Sequence, residues 1–236
     1  MEWNNKELRD LVSSKLTKSK YEQLEASMSS VQWKLIIANR SRDKCWLSLK
    51  SFDGYSQKEL AMAAMKFLLG GANESDANAV NSMLSDAELY LISFAQAMHS
   101  IPDIIANVAY NALNLESYEY SPQNINLWGL KTFIQKNSIF PNLLDAILRL
   151  EESFEWIYLN AFTNVTKHQK VIGQTASVKL VDLDSGILDV TLKGFTRNSS
   201  ISFLPIRLNI LLENDYQALG ALFLKIGEAI NLEAEN

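Results

Sequence analysis

Cys45 is the only thiol among these 236 residues. A lone cysteine excludes an intramolecular disulfide and a cysteine-based zinc site. Histidine is nearly as scarce. With only His99 and His168, a metal centre would have to draw mostly on carboxylates, so neither metal nor cofactor is expected. No apolar run reaches the roughly 18 residues that span a bilayer. The first residues include Glu2, Asn4, Asn5, Lys6 and Glu7, which is not an apolar signal core. These absences predict a cytoplasmic protein with no membrane partner. Net charge is −5. That argues against strong non-specific nucleic-acid binding, which needs phosphate neutralisation by Lys and Arg, but is compatible with a small basic pocket. Neither a glycine-rich phosphate loop nor a nucleophile-elbow serine is present.

Four prolines and nine glycines leave long stretches uninterrupted, and 47% apolar content suits a sizeable core. Ser19 and Glu22 have capping-box spacing. Leu24, Met28, Val31, Leu35, Ala38 and Trp46 then mark a helix over about 19–51. Ser56 and Glu59 open a short helix to about Leu69, closed by Gly70-Gly71. A helix starting near Ser75 or Asp76 runs through Met83, Ala87, Tyr90, Phe94 and Met98. At Pro102 the lost hydrogen bond and the ring clash predict a kink or a break. Ser121-Pro122 forms an N-cap and N1 pair for a helix that starts there or slightly later, from Ile125 to Ile134. Phe140-Pro141 opens a long helix whose apolar stripe is Leu143, Ile147, Leu150, Phe154, Tyr158, Ala161 and Val165.

After Gly173 the period changes to two. A hairpin is predicted over 178–192, turning at Asp184-Ser185-Gly186. A third strand covers 201–204, ended by Pro205 at an edge. Helical periodicity returns over 215–232 and is expected to pack near the hairpin. The fold class is therefore mainly α: an antiparallel helical bundle over 1–170, with a small C-terminal β-hairpin plus helix element over 171–236 packed on it.

The next position on the long helix's stripe is His168. A histidine on a packing face must find a hydrogen-bond partner or line a wet pocket. Asn160, Asn164 and His168 follow at i, i+4 and i+8, one ridge on one face, flanked by Lys167 and Lys170. Imidazole can act as a general base or, charged, as a donor to phosphate. The asparagines can orient a phosphate or a ribose. The competing reading is a helix end whose cations complement its dipole, with His168 bonded to a neighbouring helix.

His99 and Asp103 would be i and i+4 neighbours on a continuous helix, the carboxylate orienting the imidazole. Alternatively, Ser100 and Asp103 cap a new helix. Arg40, Arg42 and Lys44 form a short basic cluster, read as a solvated face, with Arg42 near the apolar stripe. Asp182, Asp184 and Asp189 read as turn chemistry, because the twelve-residue calcium loop is missing.

Asn164-Val165-Thr166-Lys167-His168 at the end of a long helix resembles the polar-residue-then-histidine motif of the HEPN superfamily. Ala97-Met98-His99-Ser100-Ile101-Pro102-Asp103 resembles a segment of some bacterial members. The likeness covers roughly 20–170 and implies an antiparallel bundle of about four helices. It also implies either a metal-independent ribonuclease or a non-catalytic partner in a toxin–antitoxin or defence system. Active members carry an arginine before the polar residue; Thr163 stands in that place here. The resemblance therefore implies RNA or nucleotide binding with ribonuclease activity weak or lost. His168 would be the acid or base, and Asn164 and Lys167 would position phosphate; Asn160, His99 and Asp103 are the further candidate substrate-binding residues. Arg40 or Arg42 would be the source of a guanidinium from another helix. The alternative is a non-enzymatic interaction module, acting as a homodimer or with an antitoxin-like partner.

Overall fold

Helix dominates, as the long 3.6-residue periodicities demand. The computed structural model describes residues 3–52, 54–119, 125–182, 185–198 and 201–235, with only the backbone of 179–182 and 185–188. The helices are α1 (Asn5–Val12), α2 (Lys18–Lys50), α3 (Gln57–Leu68), α4 (Glu74–Ala112), α5 (Leu127–Asn137), α6 (Pro141–Glu152), α7 (Phe154–His168) and α8 (Tyr216–Glu235). Five short strands follow α7: β1 (Gln174–Asp182), β2 (Ser185–Leu192), β3 (Phe195–Asn198), β4 (Ile201–Phe203) and β5 (Ile206–Arg207). They form an antiparallel sheet in the order β1-β2-β5 and a separate β3-β4 pair. A π-helical turn, Ile210–Asp215, leads into α8. Among the described residues no helix is long and apolar enough to cross a membrane.

Several local expectations need correction. Pro102 does not interrupt α4, which is assigned as one helix on both sides of it. Ser100 is not an N-cap: its hydroxyl donates to the Ala97 carbonyl at 2.8 Å, inside the helix. The predicted helix after Pro141 is two helices. Ser153 takes an extended conformation (φ −69, ψ 139), and its hydroxyl accepts the Trp156 N–H at 3.2 Å, capping α7. Ser185 and Gly186 belong to β2, paired with Asp182 and Leu180, so they are strand residues and not the predicted turn. Asp184, and Ser121-Pro122, lie outside the described residues. Helix α1 was not anticipated, because only Leu8 and Val12 mark its buried side. Its signal is Asn4, whose side chain accepts the Glu7 N–H.

The chain forms two compact units, each built from separated segments. Residue 170 thus marks a change from helix to strand rather than a boundary between compact units. Packing follows long-range side-chain contacts, not chain order.

The first unit comprises Met1–Ile36, Ala97–Ile157 and Gln217–Asn236. Leu24, Met28, Ile101, Ile105, Leu143, Ile147 and Ile230 are among its fully buried side chains. Phe140 (φ 52) brings no side-chain cap to α6. The Glu233 carboxylate of α8 supplies the acceptor instead, 2.8 Å from the Asn142 N–H and 3.4 Å from that of Leu143. Those N–H groups have no partner inside their own helix. Asn231 ties down the N-terminal segment by accepting from Trp3 Nε1 at 2.9 Å and donating to Asn4 O and Glu7 Oε2.

Trp3 lies directly on Gly227, where an added Cβ would stand 2.6 Å from the indole. Gly227→Ala should therefore destabilise the protein by about 1–3 kcal/mol through overpacking. In a Trp3→Ala background the same change should stabilise by roughly 0.5–1 kcal/mol, because alanine favours a helix interior over glycine. Urea midpoints of the four proteins in this cycle check the sign reversal. A loss of equal size in both backgrounds would show that Trp3 is not the obstacle.

The second unit comprises Ile37–Gln96 and Tyr158–Tyr216. Here α3 packs on β1 and β2. Ser41 and Ser93 hydroxyls meet at 3.0 Å, and the Cys45 thiol donates to the Ala87 carbonyl at 3.3 Å, fixing α2 beside α4. Tyr158 and Phe162 of α7 pack edge-on against Phe195 of β3, with centroids 5.5 and 6.2 Å away. Phe203 of β4 stacks on Phe195 at 4.9 Å. This cluster holds the β3-β4 pair on α7. Burial, with the Asp215 carboxylate adding to it, pushes the Tyr158 phenol well above its ordinary pKa.

Candidate nucleic-acid interface

Helix α7 turns Tyr158, Leu159, Ala161, Phe162, Thr163 and Val165 inward. Its last turn is different. Lys167, His168, Gln169 and Lys170 are all exposed. The N–H groups of Gln169 and Lys170 both bond to the Val165 carbonyl, which ends the helix. His168 is therefore not on the packing face, although the stripe points there: the helix stops before the next turn can be covered. Lys167 and His168 stand at the negative end of the α7 dipole, where cations are favoured.

Asn164 donates to both the carbonyl and the side-chain oxygen of Asn160, at 2.8 and 2.6 Å, so that amide is committed to its own helix. Thr163 is 0% exposed, and its hydroxyl has no hydrogen-bond partner among the described residues. The place where the motif carries arginine is a core position here.

His99 and Asp103 belong to the first unit, whereas Asn160, Asn164, Lys167 and His168 belong to the second. The His99 ring stacks on Trp156, centroids 5.4 Å apart at 15°. The Asp103 carboxylate accepts the Leu127 N–H at 3.0 Å and so caps α5 rather than a helix of its own. Arg42 bonds to Asp43 and lies 4.5 Å over the Tyr216 ring, which takes its guanidinium out of play. Arg40 is exposed. The Cys45 thiol is pushed up to about 12 by burial, which excludes it as a nucleophile. A groove of about 460 Å3 lined by Phe52, Tyr55, Glu74, Ser75, Asn78 and Ser82 contains none of the predicted residues.

Two cations that the sequence reading did not single out join the end of α7. Lys193 donates its backbone N–H to the Gly173 carbonyl at 2.9 Å, and its stem lies on Gly173, 3.7 Å from where a Cβ would be. Gln169 donates to the Arg197 carbonyl at 3.4 Å. These contacts bring together the segments that carry Lys167, His168, Lys170, Lys193 and Arg197, where α7, the following linker and the β2–β3 junction meet. Among the described residues none of the four Lys and Arg side chains forms an ion pair.

A legible signal existed in the sequence. Residues 156–181 and 190–212 contain Lys167, Lys170, Lys179, Lys193, Arg197 and Arg207 and no Asp or Glu, in a chain where acids outnumber bases 27 to 22. Arg207 is drawn aside by Asp189 at 3.4 Å. Such a cluster suits phosphate groups, which concentrated positive charge attracts and lysine ammoniums bind as point charges. Compared with family models, curated proteins and solved structures, the chain matches none of them.

Proposed function

We propose that the chain is a HEPN-like protein that binds RNA or a nucleotide at the end of α7 and cleaves RNA poorly or not at all. The observation that carries this reading is the contact between two segments without Asp or Glu, which together bring Lys167, His168, Lys170, Lys193 and Arg197. The Asn164–His168 motif adds the family likeness. A cytoplasmic setting belongs to the same reading, because RNA and nucleotides are met there. Cleavage is expected to fail for a physical reason. A guanidinium stabilises the charge that builds on a phosphorane, and losing one such donor typically lowers the rate about 100- to 1000-fold. Thr163 carries no charge and is buried.

The test is fluorescence anisotropy on a labelled single-stranded RNA. Lys167→Glu combined with Lys193→Glu should weaken binding at least about tenfold. Loss of two phosphate contacts should also flatten the slope of log K against log salt by about 1.4, at roughly 0.7 per contact for single strands. Cleavage should be absent or trace and unaffected by His168→Ala. Unchanged affinity in the double variant would remove the site. Robust cleavage abolished by His168→Ala would overturn the non-catalytic half.

A further inference from the structure

Helix α2 carries an exposed stripe to which none of the residues of the α7 cluster belongs. Ile37, Arg40, Lys44 and Leu47 follow in steps of three, four and three, the spacing of a seam made for another helix. All four are exposed, Ile37 to 41% and Leu47 to 61%. The buried residues Ala38, Ser41, Cys45, Ser48 and Leu49 occupy the other side of the same segment. The Ser41–Ser93 and Cys45–Ala87 contacts hold that side against α4, so the exposed stripe cannot roll inward.

We infer that this stripe docks one amphipathic helix of a partner protein, a helix with apolar residues at its ends and carboxylates at its centre. Charge decides the occupant. Arg40 and Lys44 lie between the two apolar residues, and among the described residues neither forms an ion pair. Asp43, the only carboxylate on this part of α2, is engaged by Arg42. Lys44 Nζ lies 5.3 Å from the centroid of the Tyr90 ring, a contact that leaves its charge without a carboxylate partner. A second copy of α2 does not fit. Antiparallel self-pairing that sets Ile37 against Leu47 also sets Arg40 against Lys44, and parallel pairing sets each cation against itself. An RNA strand would use the cations but leave Ile37 and Leu47 in water. A helix with the pattern apolar, acidic, acidic, apolar over about 15 Å covers all four.

The probe is a synthetic helical peptide with leucine at the two end positions of that pattern, glutamate at the two central ones and alanine, lysine and glutamine elsewhere. Anisotropy is read against the full chain. Wild type should bind. Arg40→Glu with Lys44→Glu should weaken binding at least about tenfold and should gain affinity for a peptide with lysine at the two central positions. Ile37→Ser with Leu47→Ser should weaken both pairings. Failure of wild type to bind overturns the inference. So does an equal loss in Lys167→Glu/Lys193→Glu, which would mean non-specific attraction of an acidic peptide. A loss of RNA affinity in Arg40→Glu/Lys44→Glu with peptide binding unchanged would assign this face to nucleic acid and overturn it as well. The single-stranded RNA assay on the α7 cluster succeeds or fails separately.

Discussion

Replacing Thr163 with arginine, the substitution that completes the motif, should destabilise the protein by about 3–5 kcal/mol or prevent folding, the range for an uncompensated buried charge. It should not create a ribonuclease. Thr163 is 0% exposed, and a threonine-sized space must take a guanidinium with five donors. Residues 156–181 offer no carboxylate to pair with it. The existing hydroxyl already lacks a partner among the described residues, so the site offers little polar compensation. The same reasoning fixes the control. Thr163→Val removes an unsatisfied buried hydroxyl and should stabilise by roughly 1 kcal/mol. Urea midpoints read both. An arginine variant with an unchanged midpoint and new RNA cleavage would show that the position opens to solvent.

Phe195→Ala should cost about 3–5 kcal/mol, the range for deleting a buried phenylalanine. It should also weaken the proposed RNA binding without touching a single cation. Phe195 is 4% exposed and meets Tyr158, Phe162 and Phe203 at once. It stands between Lys193 and Arg197 in the chain, so its ring supports the same segment that the Lys193–Gly173 and Gln169–Arg197 bonds hold. Phe195→Leu should recover most of the stability, because it retains most of the buried apolar volume. Denaturation midpoints and anisotropy, measured on the same preparations, separate the two effects. Loss of stability with undiminished RNA affinity at a temperature where the variant is folded would detach this cluster from the site.

The sequence made the helices and the first hairpin legible because their signals are local. Capping at Ser56 is one case: Glu59 both accepts from Ser56 and has its own N–H bonded to the Ser56 hydroxyl. Period-two alternation around 178–192 is another. Ser153 was missed because the apolar stripe keeps its phase across the break, so periodicity alone reads one helix. Of the two outcomes expected at Pro102, the break is absent, because α4 is assigned through it. At the site, the motif led to His168, Lys167 and Asn164, but their neighbours come from the β2–β3 junction. Only tertiary contact brings Lys193 and Arg197 there. The missing acids in two separated stretches were the sequence trace of that contact.

The capping of α6 by Glu233 has a consequence for how the chain is made. Synthesis is vectorial, and residues 37–96 and 158–216 of the second unit have all been joined to the chain before α8 is complete. The first unit must wait for 217–236, including the carboxylate that satisfies the start of α6 and the Asn231 side chain that anchors Trp3. During that interval α1 and α6 are exposed without their partners, a window in which a chaperone or a premature stop has its greatest leverage.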